Sequence, residues 1–349
     1  MRERRRIVEM WRAGAAVALV TLVRVEGSSY RRVGARLLVG VDGKYAGSIS
    51  GGCLEAEVVR KAGWMVRDGA VVERYSTLFD DTAEIPYGLG CGGTVDLLVE
   101  PAGTAEFEAV MEALEASLRG EERQVVTWLP ESGRPLRRVV GAVGVDVEAD
   151  GGFVERIEAP QRLVVFGAGD DARPMVQMAA LMGWSVVVVD GRVQWARAER
   201  FPEAARVVVA EGFEELAGLA IGARDAVVVM THSYEQDRGW LAGALGCGPR
   251  YLGLLGARHR SALLVSETAA MLGWSVERVC EGLFAPVGLD LGGDGAEAIA
   301  LAVIAEIQGS IQGKLGSSGC GSGRMTPEMV EAQVAEGGAS RYLRAQCAL

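Results

Sequence analysis

The chain has 349 residues, with 36 Lys and Arg against 46 Asp and Glu and a formal net charge of −10. Hydrophobic residues make up 49% and the mean hydropathy is +0.18, enough apolar side chain for two cores, which excludes global disorder. An acidic chain without a basic face is poorly suited to neutralising a phosphate backbone, so no nucleic acid is expected as a partner.

The start, Met1-Arg2-Glu3-Arg4-Arg5-Arg6, has the basic character of a signal-peptide n-region, but Glu9 and Arg12 interrupt the residues after it. A helix followed by a strand is the expectation. No run approaches the ~20 apolar residues that cross a bilayer, so no membrane span is expected. The six cysteines, Cys53, Cys91, Cys247, Cys280, Cys320 and Cys347, include no C-x-x-C pair. A chain of this size needs no disulfide scaffold, and a reducing, cytoplasmic setting is expected. With only two histidines, His232 and His259, a directly ligated metal is not expected.

In chain order, residues 15–25 and 35–41 read as strands joined by a polar loop over 26–34, and Asp42-Gly43 marks a tight turn into a strand over 44–49. Leu54, Val58, Val59, Ala62 and Met65 recur at helical spacing. Strands over 71–75, 95–99 and 125–129, with a helix over 105–118, complete an α+β half expected to occupy residues 1–158; Gly151-Gly152 and Pro160 fall in the connection. From Arg162 the pattern becomes regular. Continuous apolar runs at 163–166, 186–189, 207–209, 226–230 and 251–255 alternate with helical segments. Parallel strands buried on both faces require such runs, so a doubly wound, Rossmann-like α/β domain is predicted over 159–310, closing with a helix at 296–307. The remainder, 311–349, opens Gly/Ser-rich and is expected to be a mobile tail.

The second half carries a strand running into Gly167-Ala168-Gly169-Asp170-Asp171-Ala172, a G-x-G-x-x-A loop that opens a helix. Gly167 and Gly169 let the backbone approach a pyrophosphate, and Asp190, 23 positions beyond Gly167, is spaced to accept from a ribose hydroxyl. Asp170 and Asp171 bring negative charge to that point, as a helix cap or as a source of repulsion. Arg192 is a candidate for a 2′-phosphate or other anion, or a solvated surface charge. His232, past the fourth strand, and Arg258, past the fifth, sit where the carboxyl ends of strands line a crevice; each is a ligand contact or a locally paired loop residue. In the first half, Gly47 to Glu55 reads GSISGGCLE and runs into a helix. Its amides, the hydroxyls of Ser48 and Ser50, and the helix start favour an anion near Gly51 and Gly52, in a field that stabilises a Cys53 thiolate. Cys91 lies among glycines in Gly90-Cys91-Gly92-Gly93. Two thiols in such loops suit a sulfur- or metal-bearing phosphorylated ligand; the alternative is two small cysteines in tight turns.

Together these stretches resemble the XdhC/CoxI family, accessory proteins for xanthine dehydrogenase and carbon monoxide dehydrogenase. The resemblance rests on Gly27-Ser28-Ser29-Tyr30-Arg31, on GSISGGCLE, and on GCGG at 90–93. In the second half it rests on FGAG at 166–169, VVMTH at 228–232, YLGLLG at 251–256 and PVGLDL at 286–291. GSISGGCLE is the most specific of these. The resemblance implies an XdhC/CoxI domain followed by a Rossmann-like domain, and a maturation factor rather than a turnover enzyme. Such a factor binds molybdenum cofactor (molybdopterin), supports its sulfuration with a cysteine desulfurase, and delivers it to an apo molybdenum hydroxylase. A homodimer is implied as well. Carried over by position, Cys53 and Cys91 contact the cofactor, with Ser48, Ser50, Gly51, Gly52, Glu55, Gly92 and Gly93 around them. Two departures stand out: Asp170 where histidine is common, which bears on nucleotide binding, and Tyr30 where proline is common, which bears on loop stiffness. The alternatives are an NAD(P)-dependent oxidoreductase using the Rossmann loop, and a scaffold that only docks hydroxylase and desulfurase.

Overall fold

A computed structural model describes residues 1–52, 54–76, 93–131, 134–144, 151–315 and 326–335. The chain divides into two compact units, Met1–Pro160 and Gln161–Leu349.

The first unit opens with helix α1 (Arg2–Arg12), then strands β1 (Ala16–Glu26), β2 (Arg36–Gly40) and β3 (Tyr45–Gly47). Helix α2 (Glu55–Met65), strands β4 (Val71–Ser76) and β5 (Thr94–Pro101) and helix α3 (Ala105–Leu118) come next. Strands β6 (Arg123–Trp128), β7 (Arg137–Ala142) and β8 (Phe153–Ile157) close the unit. The first five strands form an antiparallel sheet in the order β3-β2-β1-β5-β4, and the last three a second sheet, β7-β6-β8. Because strand side chains alternate faces, Leu19 and Leu38 pack with Ile7, Val8, Phe107 and Met111 from α1 and α3. Their neighbours Val20, Leu37, Val39, Leu97 and Val99 turn the other way, onto Val58 and Ala62 of α2. The sheet is thus buried on both faces. Strand β3 ends at Gly47, short of the predicted Ile49, because residues 48–52 peel away to wrap the start of α2. Strands β7 and β8 mix charged with apolar residues and lie beyond the predicted elements; Glu155 of β8 is fixed by the buried Arg36 guanidinium, 2.7 Å from Nη1.

The second unit has the predicted Rossmann architecture. Strands β9 (Arg162–Phe166), β10 (Ser185–Asp190), β11 (Arg206–Val209), β12 (Asp225–Val229), β13 (Tyr251–Leu254) and β14 (Leu283–Phe284) form one parallel sheet. Their order, β11-β10-β9-β12-β13-β14, puts a topological switch between β9 and β12, the crevice where such sheets bind ligands. Helices α4 (Ala172–Leu181), α5 (Tyr234–Cys247), α6 (Arg258–Leu272), α7 (Val276–Glu281), α8 (Ala296–Ile311) and α9 (Pro327–Ala335) flank it. Residues from α4 and α8 share one core, and those from α5, α6 and α7 the other. Helix α9 lies within the stretch predicted to be a mobile tail, yet its Val330 is 1% exposed and joins the second core. Among the described residues no helix is long and apolar enough to cross a membrane.

Candidate functional site

In the first unit three separate sequence motifs converge. The ring of Tyr30 lies over Gly51: a Cβ placed on that glycine would stand 2.7 Å from the ring Cδ1. Gly93 lies against the same loop from another side, since a Cβ there would stand 2.1 Å from the Ser28 carbonyl oxygen. Gly51 has a φ of +101°, which a side chain would strain even without the ring. Of the predicted residues, Ser48, Ser50, Gly51, Gly52 and Glu55 share one hydrogen-bonded loop on which Tyr30 lies, and Gly93 lies against Ser28 of the same 27–31 motif. Cys53, Cys91 and Gly92 lie outside the described residues.

The donors expected to favour an anion in the 48–55 segment meet the chain's own Glu55. Glu55, first residue of α2, turns its carboxylate back into the preceding loop. Its Oε1 accepts from Ser48 Oγ at 2.8 Å and from the amides of Ile49, Ser50 and Gly51 at 3.0, 2.9 and 3.2 Å. Its Oε2 accepts from the Gly52 amide at 2.9 Å and from the Ser50 hydroxyl. Burial on its own would push the Glu55 carboxyl up; the bonds from Ser50 and Ser48 outweigh it and hold the pKa at about 2. The loop thus has the donor chemistry of an oxyanion cradle, with a tethered carboxylate in it. Among the described residues Cys247 and Cys280 are free thiols, both in the second unit. Burial pushes the Cys280 thiol up to about 11 and raises Cys247 too, which favours the thiol over the thiolate in both.

In the second unit Gly167 takes a φ of +126° and packs against the Met230 carbonyl, closing the switch point tightly. Asp190 ends β10 as predicted, but both its oxygens are engaged. Oδ2 accepts from the Ala168 amide at 2.8 Å and from Arg192 Nη2 at 2.7 Å; Oδ1 accepts from the Arg192 amide and Nε, both at 2.9 Å. Burial opposes ionisation of Asp190, and the Arg192 bonds with the Ala168 amide overcome it, holding the carboxyl below its ordinary range. Arg192 lies 5.0 Å from the Trp195 ring centroid and Arg200 4.4 Å from it. Arg200 also donates to Asp170 at 2.8 Å, so the charge that Asp170 adds to the loop is paired. Asp171 Oδ1 lies over Gly169, while its Oδ2 meets His232 Nε2 at 2.6 Å.

His232 sits at φ +63°, one of two non-glycine residues in the left-handed region among those described. The turn is fixed from behind by Asp237, which is fully buried. Its Oδ1 accepts from the Thr231 amide at 3.0 Å and hydroxyl at 2.6 Å, and its Oδ2 from Arg260 at 2.7 Å. Sequence reasoning missed Asp237 and Arg260. The predicted Arg258 is exposed at the start of α6; Arg260, two positions on, is the arginine bonded to Asp237. A legible signal existed: Ser233 caps α5 by accepting from the Gln236 amide, so Asp237 falls in that helix's first turn. Among the described residues no group of three metal-ligating side chains is placed to hold an ion.

A parallel sheet in this order, with a glycine loop at its switch point and an antiparallel unit ahead of it, defines a two-unit Rossmann-type protein. The chain belongs to the XdhC/CoxI family. The XdhC and CoxI family model matches residues 10–76 and the XdhC Rossmann domain model residues 163–307. It is similar to a protein of Bacillus subtilis (strain 168) named as a probable xanthine dehydrogenase subunit, 29% identical over 310 residues, covering 83% of this chain and 91% of the relative. It is likewise 29% identical over 310 residues to "Molybdenum cofactor insertion chaperone PaoD" of Escherichia coli (strain K12), covering 86% of this chain and 85% of that one. A crystal structure described as a xanthine dehydrogenase from Bacillus halodurans superposes with a TM-score of 0.75 at 26% identity, over 90% of this chain and 97% of that one.

Proposed function

We propose that this chain is a maturation factor for a molybdenum hydroxylase of the xanthine dehydrogenase type, and that molybdenum cofactor is its cargo. The observation that carries the reading is the 48–52 loop, whose hydroxyls and amides form the donor set of an oxyanion cradle around Glu55, with Tyr30 of the 27–31 motif lying on its Gly51. The relative named as a molybdenum cofactor insertion chaperone, aligned over most of both chains, supports it. In this reading Ser48, Ser50, Gly51, Gly52 and Gly93 bind the cargo's acidic end, and Glu55 competes for the same donors, so it sets how tightly an anion is held. Cys53 and Cys91 are assigned to the cargo's sulfur- and metal-bearing end, with Gly92 beside them. Sulfuration with a cysteine desulfurase, transfer to the apo-hydroxylase and assembly as a homodimer belong to the same proposal. The cargo brings its own molybdenum–dithiolene chemistry; the chain binds, orients and shields it.

The test mixes purified chain with molybdenum cofactor released from a molybdoenzyme, removes free cofactor by gel filtration, and measures retained molybdenum. Retention close to one per chain, lost in the Cys53→Ser/Cys91→Ser double variant, is the expected result. Molybdenum at background in the unmodified chain overturns the proposal.

A second reading, an NAD(P)-dependent oxidoreductase, has the strand order and the Gly167–Gly169 backbone in its favour. Against it, both oxygens of Asp190 are occupied by the chain's own donors, leaving no free acceptor for a ribose hydroxyl. Calorimetric titration with the four nicotinamide dinucleotides separates the two readings.

A further inference from the structure

Tyr30 is 75% exposed, yet its ring does not extend freely into water. Its Cδ1, Cε1 and Cγ lie 2.7, 3.0 and 3.2 Å from the point where a Gly51 Cβ would stand, so the ring rests on the backbone of the glycine loop. Both supports are fixed. The 48–52 loop is tied to Glu55, and the Tyr30 loop is closed by Gly34 N–H to Leu22 O at 2.8 Å and by the Arg31–Glu3 ion pair at 2.5 Å. A side chain with two rotatable bonds thus rests on the Glu55-filled loop with most of its surface uncovered. Such a ring loses little conformational entropy when a second flat ring stacks on it. A ligand with a planar heterocycle suits that surface.

We infer that Tyr30 is a stacking residue for the fused, pterin-class ring of the cargo, with Gly51 kept free of a side chain so that the tyrosine can lie there. The inference rests on the carrier reading and adds a residue that neither the thiols nor the cradle supplies. Aromatic stacking on a heterocycle is worth a factor of about ten in affinity by alanine substitution, a scale measured for nucleic-acid bases.

The test uses two probes on the full chain: molybdenum cofactor, read as retained molybdenum, and a plain oxidised pterin without phosphate, read by quenching of its own fluorescence. The unmodified chain is expected to retain the first and quench the second. Tyr30→Phe stays within about twofold, while Tyr30→Leu and Tyr30→Ala weaken both signals about tenfold. The leucine variant keeps an apolar cover on Gly51, so its loss reports stacking and not collapse of the loop. If the unmodified chain retains molybdenum cofactor and Tyr30→Leu or Tyr30→Ala matches it, the stacking role is overturned while the carrier reading stands. Retained molybdenum with no pterin quenching overturns it in the same way. If the unmodified chain retains no molybdenum, the carrier reading fails and this inference goes with it.

Discussion

His232 Nε2 and Asp171 Oδ2 stand 2.6 Å apart, joining the turn after β12 to the residue that opens the Rossmann helix. The hydrogen bond to Asp171 raises the imidazole pKa above its usual value; burial opposes this but does not cancel it. A histidine whose folded pKa is raised favours the protonated form. The stability it adds is complete below the unfolded value near 6.5 and is lost as pH rises through the higher folded value. With two histidines in the chain, proton NMR resolves each ring. His232 is expected to titrate above its usual midpoint, and Asp171→Asn to bring it back down. A midpoint unchanged by Asp171→Asn would show that the pair does not persist in solution.

Glu55 predicts the opposite limb. Its carboxyl is held at about 2 against an ordinary 4.5, so the bonds it accepts stabilise the fold above the ordinary value and are lost as pH falls from about 4.5 towards 2. The residue is 2% exposed, so solvent screens these bonds little. At about 1.4 kcal/mol per pKa unit, the contribution at neutral pH is at most about 3.5 kcal/mol. Glu55→Gln should lower stability at pH 7 by an amount of that order and flatten the acid limb of a plot of denaturation midpoint against pH. A variant with the same acid slope as the unmodified chain refutes the assignment.

Much of this was legible in residue order, and the remainder was hidden for physical reasons. The strands β9 to β13 announce themselves as unbroken apolar runs because a parallel sheet covered on both faces tolerates little else. Strand β14, two residues long, and the charged β7 and β8 carry no such signature; their pairing is set by neighbours such as Arg36, far away in sequence. Residues 48–55 read as an anion cradle, since glycine, serine and a helix start define one locally. That Glu55 itself provides the anion depends on a side-chain rotamer, which composition does not encode. Arg258 reads as a rim residue because it follows β13; that Arg260, two positions on, bonds Asp237 depends on where its side chain points. Tyr30 reads as a change in loop stiffness until Gly51 is found beneath it.

The first unit also holds a buried ion pair that bears on folding. Arg138 Nη1 lies 2.8 Å from Glu100 Oε2, with the side chains 2% and 0% exposed, and it donates to the Glu106 carbonyl as well. Removing one partner strands a charge in a low-dielectric interior, which costs about 3–5 kcal/mol. Glu100→Ala should therefore shift the urea midpoint sharply, whereas Glu100→Met combined with Arg138→Met should cost less than either single change. A double variant as unstable as the sum of the singles would mean that the two side chains are not coupled, and the ion-pair assignment would fail.

The lock between Asp190 and Arg192 yields a prediction in the direction of gained affinity. Arg192 occupies Oδ1 through its amide and Nε, and Oδ2 through Nη2, while Ala168 takes the rest of Oδ2. An adenosine ribose reaches Asp190 only by displacing the guanidinium, and a hydrogen bond to a charged group is worth about 1.5–3 kcal/mol, or roughly tenfold or more in affinity. Arg192→Ala keeps the backbone bonds and releases the side-chain ones. It is expected to bind NAD about tenfold more tightly than the unmodified chain in calorimetry, with Asp190→Asn/Arg192→Ala reversing the gain. Equal affinities in all three proteins would show that the crevice does not present Asp190 to a ribose at all. The loop at Gly167 would then be serving only to close the switch point against Met230.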